Sequence, residues 1–203
     1  QLAFNVADTH LSYHPEWPAV LVQQGIVLID DSAVSVWADR ASLFESTVER
    51  LSVETRVNPQ DQITLALAGK VLGPAADGLK VLNESPLTGI VGPAFANWTV
   101  SGSLEMDVAL RMNLGDKSVV PQVDVATRWR DVDLLVMPGT LAVQAVNGEF
   151  AYSTSRGFSS TALTGELWGE TVSASLEQSK RAAGESYDPV TSVLDVKLAS
   201  QVD

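Results

Sequence analysis

The feature that most constrains the fold is a strict alternation of apolar side chains along the stretch from Leu104 to Leu114. Successive side chains of a β-strand point to opposite faces, so residues two positions apart share a face. At about 3.4 Å per residue, such a strand would be roughly 35 Å long, which exceeds the length of an average strand. The sequence therefore predicts a long strand with one apolar face. The residues of that face are Leu104, Met106, Val108, Leu110, Met112 and Leu114.

Shorter runs repeat this alternation in four other parts of the chain. Their opposite faces carry polar or charged residues such as Thr64, Asp124 and Lys197, a pattern typical of antiparallel sheets with one wetted face. Turn-forming residues separate the runs. We therefore predict a mainly β fold with roughly ten to twelve antiparallel strands. The apolar positions of these runs are Ile63, Leu65 and Leu67; Val123, Val125 and Trp129; Leu51, Val53 and Val57; and Leu194, Val196 and Leu198.

Helical patterns are scarce in this sequence. The segment from Ala75 to Glu84 has leucines at helical spacing and is followed by Ser85-Pro86, which predicts one short helix. A second short turn of helix is an alternative to irregular backbone between Thr88 and Ala96. Between Ala38 and Arg50 a helix is also compatible with the sequence, but the β-type composition on both sides favours strands.

The domain organisation predicted from the sequence is a single β-sheet segment over residues 1–203. Val20-Leu-Val-Gln-Gln-Gly25 resembles Val143-Gln-Ala-Val-Asn-Gly148, which indicates two weak repeats, about 1–75 and 99–203, joined by a helical insertion over 75–96. Chance similarity between β-strands is the alternative. Because the chain starts at Gln1 in strand-like sequence, without an initiator Met or signal-peptide pattern, we interpret it as an internal segment of a longer protein.

Composition limits the classes of function. Hydrophobic residues make up 45 % of the chain and charged residues 19 %, so a folded core is expected. The net charge of −12 disfavours nucleic acid as a partner, because a phosphate backbone would be repelled. There is no Cys, which removes disulfides and thiolate chemistry. No apolar run reaches the roughly 18 residues that a membrane-spanning helix needs.

Candidate catalytic and metal-binding residues are weak. His10 and His14 share one strand face near Asp8 and Glu16, but a third metal ligand is not evident. Asp30 and Asp31 fall in a predicted turn, where Asp is favoured for backbone reasons. The sequence contains neither a Gly-x-Ser-x-Gly motif nor a glycine-rich phosphate loop. We therefore predict that the protein is not an enzyme and needs no cofactor or metal.

Three sequence blocks follow one another along the chain in a recognisable order. The first is Tyr13-His-Pro-Glu-Trp-Pro18, followed by an apolar stretch and Gly25. The second consists of Ser85-Pro-Leu87, then Val100-Ser-Gly-Ser-Leu104 and the long alternating strand. Together with a third block nearer the C-terminus, they cover most of the chain.

The third block is the most specific. It contains Val146-Asn-Gly-Glu-Phe-Ala-Tyr152, Arg156-Gly-Phe-Ser-Ser160 and Leu163-Thr-Gly-Glu-Leu-Trp-Gly-Glu-Thr-Val172. With these blocks the chain resembles the AsmA-like proteins of the Gram-negative envelope, and among them the YhdP type. This family has no short binding motif, so the resemblance transfers no individual lipid-contact residue.

The resemblance implies a fold, a location and a function. The expected fold is a long, twisted and curved antiparallel sheet that forms an open apolar groove (a β-taco), with one or two short helices. The expected function is transport of phospholipid, or another acyl-chain lipid, between membranes in the periplasm, with the parent protein anchored in the inner membrane. The candidate groove residues are the apolar positions of β-type runs at Leu104, Met106, Val108, Leu110, Met112, Leu114, Ile63, Leu65, Leu67, Val123, Val125, Trp129, Leu194, Val196 and Leu198.

Two other functions remain open at this point. A structural or protein-interaction β-domain of the envelope would seal the same residues in an ordinary closed core. A carbohydrate-active β-enzyme would need convergent carboxylates, which the sequence does not locate. The expected partners are a lipid, the rest of the parent protein and other copies of this segment, because unpaired strand edges or the groove favour self-association.

Overall fold

The computed structural model describes residues 1–12, 15–57, 61–85, 87–88, 95–116, 118–137, 141–178 and 194–200. Their order of elements is five strands, one helix and six further strands. The elements are β1 (Leu2–Leu11), β2 (Val20–Asp30), β3 (Ala33–Leu43), β4 (Ser46–Val57), β5 (Ile63–Pro74), α1 (Ala75–Asn83), β6 (Thr99–Asn113), β7 (Gln122–Met137), β8 (Leu141–Ser153), β9 (Gly157–Leu167), β10 (Glu170–Gln178) and β11 (Leu194–Ser200).

All eleven strands belong to one sheet, in which each strand pairs antiparallel with its neighbours in the sequence. Strands β1 and β11 are its two edges, and in the described part of the chain they do not pair with each other. The prediction of a mainly β, antiparallel fold with a short helix is therefore confirmed. The strands preferred over a helix between Ala38 and Arg50 are found as parts of β3 and β4. The two-repeat organisation stays a prediction.

The sheet has two ends that differ in their connections. At the helix end, β5 continues directly into α1, and the turns β3–β4, β7–β8 and β9–β10 lie at the same end. At the opposite end lie the turns β2–β3, β4–β5 and β8–β9, and we call it the far end. Among the described residues no helix is both long and apolar enough to cross a bilayer.

The strands are bent by β-bulges that put non-glycine residues in the left-handed region. Arg50, Asp131 and Ala145 have positive φ, and the strand register shifts beside each of them. Asn147 supports the second of these bulges, because its Oδ1 accepts a hydrogen bond from the Asp131 backbone N–H at 3.1 Å. Bulges bend a strand and increase its twist, so these positions help the sheet to curve.

Packing across the sheet shows the direction of the curvature. Trp17, in the connection between β1 and β2, packs against the cluster of Leu110, Val123 and Tyr152 on β6, β7 and β8. In a flat sheet β2 and β7 would lie about 24 Å apart, at about 4.8 Å per strand. Trp17 is only three positions before the start of β2, so the sheet must curve with these residues on its inner side.

Candidate functional site

The strand register assembles alternate residues of neighbouring strands into one apolar face. Leu67 pairs with Leu110, and Leu110 pairs with Val123. Val125 then pairs with Tyr152 on β8. Because paired residues lie on the same side of a sheet, each apolar run continues into the next strand. We call this side the apolar face and the opposite side the polar face.

The residues predicted from the sequence lie together on this face wherever their side chains are described. Leu104 pairs with Trp129, Val71 with Met106 and Leu65 with Met112, so β5, β6 and β7 contribute continuous rows. For β11 the structure gives backbone pairing only. The register places Leu194 opposite Gln178, Val196 opposite Leu176 and Leu198 opposite Ala174. Contact of these residues with lipid stays a prediction.

Sequence reasoning missed most of the apolar face on β2, β3 and β8 and single residues of it on β4, β5 and β7. Val48 and Leu51 are both buried on it although they are three positions apart, because the bulge at Arg50 shifts the phase by one residue. Leu51 belongs to a predicted alternating run, and a change of phase within that apolar stretch was the signal that could have added Val48. The buried residues of the face that lie outside the predicted alternating runs are Val20, Val22, Val36, Ala38, Ala41, Val48, Val71, Val132, Val146 and Tyr152.

The helix α1 closes the helix end of the apolar face. Ala75 is buried in a cluster with Val132 and Val146. A Cβ on Gly78 would lie 3.3 Å from a methyl carbon of Leu104, so the helix backbone approaches β6 closely. The Asp77 carboxylate holds the other side of the helix, because it accepts hydrogen bonds from the hydroxyl of Ser46 at 2.6 Å and from the backbone N–H of Glu45 at 3.0 Å.

Two chain connections lie over the apolar face of β6–β9. Trp17 and Leu87 pack against the buried cluster of Leu110, Val123 and Tyr152. Phe95 extends this layer, with its ring centroid 6.4 Å from that of Phe158. We call Trp17, Leu87 and Phe95 the cover. It fills the space above the middle strands, where a groove ligand was expected.

The far end of β1–β5 is uncovered on the same face. Six large apolar side chains there are between 38 % and 59 % exposed, whereas Leu65 and Val36, two positions further along their strands, are 1 % and 4 % exposed. Register makes the six neighbours of one another, since Leu2 pairs with Ile29 and Ile29 with Val34. We call this group the apolar mouth. Its residues are Leu2, Phe4, Ile29, Val34, Val57 and Ile63.

The polar face carries a charged row across β5–β8. Glu105 forms ion pairs with Lys70 and, at 3.8 Å, with Arg128, whose other guanidinium nitrogen lies 2.8 Å from Glu149. The hydrogen bond from Lys70 holds the pKa of Glu105 below its usual range. The hydrogen bond to Glu149 raises the pKa of Arg128. This row favours the observed register of four strands and keeps this face in water.

Two shallow depressions, about 550 and 290 Å³ in volume, also lie on the polar face. Small side chains such as Ala109 and Ala126 form the floor of the larger one, with Asp107 and Asp124 beside them. Both signs of charge surround it, since Lys70 also contributes to its lining. These depressions therefore do not correspond to the expected apolar groove.

No group of three or more potential metal ligands occurs among the side chains that the structure describes. His10 is exposed on β1, and His14 lies outside the described residues, so the pair cannot be placed together. Asp30 accepts a hydrogen bond from the backbone N–H of Asp31 at 2.9 Å, within the turn between β2 and β3. This contact agrees with the turn role that the sequence predicted for the two aspartates.

Comparison with known proteins adds one finding to this geometry. A family model described as YhdP protein matches residues 1–189, a region that contains α1 and β1–β10. This match confirms the resemblance to YhdP-type, AsmA-like proteins that the three sequence blocks indicated. No curated protein and no solved structure matches the chain.

Proposed function

Since this chain belongs to the YhdP protein family, we propose that it is a segment of a periplasmic protein that transports phospholipid between membranes. In this proposal, the apolar face of the sheet holds acyl chains, while headgroups remain at the open side in contact with water. The observation that carries the proposal is the apolar mouth, a set of six neighbouring apolar side chains exposed on the face that elsewhere forms the core.

The energetics of the apolar mouth support a hydrophobic ligand. Full burial of a large apolar side chain is worth about 1.5 to 3 kcal/mol. With six such side chains between 38 % and 59 % exposed, covering them would gain about 5 kcal/mol in total. Contiguous exposed apolar surface of this kind marks a binding surface more often than an ordinary exterior. An acyl chain supplies the apolar contact that this surface lacks.

The test is whether the purified chain carries and binds lipid. The chain would be isolated from a Gram-negative periplasm and examined by native mass spectrometry and by binding of an environment-sensitive apolar dye. We expect adducts with the masses of phospholipids, and displacement of the dye by added phospholipid. A ligand-free and dye-silent protein would refute lipid binding by this segment.

A structural or protein-interaction domain is the second candidate. Three buried clusters and the cover support it, because Leu110 is only 3 % exposed and is packed under Trp17 and Leu87. In that case Leu110→Asp would unfold the protein, whereas Ile29→Asp at the apolar mouth would change nothing measurable. If Ile29→Asp instead lowers dye and lipid binding while the fold is kept, the transport proposal is favoured.

A further inference from the structure

We infer that acyl chains bind at the apolar mouth of β1–β5, not over the long strand β6, and that they belong to lipids without a net negative headgroup. This inference rests on the proposed function, and it assigns that function to a particular part of the face. The observations behind it are the distribution of exposure along the face, the position of the cover and the charges around the far end.

The middle of the apolar face is already occupied by the protein itself. Leu110 and Val123 are each 3 % exposed, because Trp17 and Leu87 pack on their cluster. Phe95 lies against Phe158 on the neighbouring strand β9. An acyl chain over β6–β8 would have to displace Trp17, Leu87 and Phe95, which are partly buried there.

The helix end of the face is closed as well. Val132 is 0 % and Val146 4 % exposed, in the cluster that contains Ala75 of α1. The two hydrogen bonds that Asp77 accepts tie α1 to the turn between β3 and β4. Among the described residues, the apolar face is therefore most accessible at the far end of β1–β5.

The apolar mouth is wide enough to hold an acyl chain, and it adjoins buried apolar residues. Its residues span five strands, or four strand spacings of about 4.8 Å, which gives a width of about 19 Å. Towards the helix end, the exposed Val34 and Ile63 are followed on the same face by the buried Val36 and Leu65. A hydrocarbon chain placed here would cover the exposed residues and extend the existing core without opening it.

The charges beside the apolar mouth select the headgroup. Asp30, Asp31 and Asp61 are exposed in the turns at the far end of β2–β5. Among the described basic residues, Arg56 is the nearest in sequence to these aspartates, and its guanidinium is paired with Glu54 at 2.5 Å. An anionic headgroup would be repelled here, whereas an ammonium group close to these carboxylates would be attracted. The occupant that fits is a zwitterionic lipid with an amine in its headgroup.

The experiment uses residues 1–203 and a phosphatidylethanolamine probe with a photoreactive diazirine in its acyl chain. After irradiation, crosslinked peptides are mapped by mass spectrometry, with phosphatidylethanolamine or phosphatidylglycerol vesicles as competitors. We expect crosslinks in the peptides that contain the far ends of β1–β5, and stronger competition by phosphatidylethanolamine. The double variant Asp30→Asn and Asp31→Asn should reduce this headgroup preference.

Two substitutions in β2 provide a matched pair. Ile29 lies in the apolar mouth at 38 % exposure, and Ile26 lies on the polar face at 50 % exposure. Ile29→Asn should weaken probe binding about fourfold, because a polar amide replaces the apolar surface that the acyl chain would cover. Ile26→Asn should leave binding unchanged. The two variants should shift the midpoint of urea unfolding by similar small amounts, so that a difference in binding between them cannot come from unfolding.

The outcomes separate this inference from the proposed function. Crosslinks on β6, with Ile29→Asn without effect, would overturn the inference while lipid binding itself stands. Equal competition by phosphatidylglycerol would overturn the headgroup assignment. Absence of any crosslink would refute the proposed function and the inference together. A dimer that Ile29→Asn dissociates, with no lipid bound, would show that the mouth is an interface between copies and would also overturn the inference.

Discussion

Truncating two residues of one strand to alanine can distinguish a sealed part of the apolar face from an open part. Leu65 and Ile63 are two positions apart in β5 and lie on the same face. Leu65 is 1 % exposed and Ile63 is 43 % exposed. Both changes remove the same number of side-chain carbons, so a difference in their effect reports the environment.

The expected loss of stability follows from these exposures. For Leu65→Ala, three buried carbons at about 0.8 kcal/mol each give roughly 2.4 kcal/mol, and the cavity raises the total to about 3 to 4 kcal/mol. For Ile63→Ala, slightly more than half of the side chain is buried, so the same arithmetic gives roughly 1.4 kcal/mol. No cavity contribution is added there, because water can fill the space.

The assay is urea unfolding followed by tryptophan fluorescence, with the free energy taken from the midpoint at unchanged slope. Ile26→Ala, on the polar face of β2, controls for the lower strand propensity of alanine. We expect Leu65→Ala to cost at least twice as much as Ile63→Ala. Equal losses at the two positions would mean that the far end is covered in solution, and the reasoning from exposure would be wrong.

Three further predictions test other parts of the structure. Gly148→Ala should destabilise the protein by several kcal/mol, because φ is +137° and the new Cβ would lie 2.3 Å from a facing carbonyl oxygen; thermal unfolding measures this. Glu105→Gln should remove the ion pair with Lys70. Since the pKa of Glu105 is lowered in the folded state, the pair stabilises the fold above the ordinary carboxyl pKa, and this contribution disappears as the pH falls through the lowered value. The free energies of unfolding of wild type and variant, measured as a function of pH, should therefore converge in acid. Asp77→Ala should lose the hydrogen bond from Ser46 and lower the free energy of unfolding by about 1 kcal/mol. Amide hydrogen exchange should become faster in α1, and unchanged exchange in the distant strands serves as the internal control.

The part of the fold that sequence predicted best is β6. The alternation from Leu104 to Leu114 continues without a change of phase, and the register with β5 advances evenly from Leu104 to Asn113. Each alternate residue therefore stays on the apolar face for the whole run. Period-two reasoning succeeds here because no bulge interrupts this part of the strand.

Strand β4 shows why the same reasoning failed elsewhere. Arg50 adopts a φ of +52°, and the register with β5 shifts between Glu49 and Ser52. Left-handed bulge positions favour Gly, so an arginine at this position gives no local signal. The bulge is stabilised by the surrounding sheet, and single-sequence patterns do not contain that information.

The question of an open groove or a closed core depends on residues outside the alternating pattern. Alternation determines which side chains share a face, but a lipid-binding groove and a sealed interaction domain both need that shared face. What decides between them is whether other parts of the chain cover it. Trp17 and Leu87 do so over β6–β8, and they come from connections without periodicity, so their position follows only from the curvature of the sheet. The groove candidates predicted from sequence lay mainly on β5, β6, β7 and β11 and included Ile63, but none came from β1–β3, where the structure leaves side chains such as Phe4 and Ile29 accessible. In this curved sheet, the connection between β1 and β2 and the connection between α1 and β6 supply the side chains that cover β6–β8.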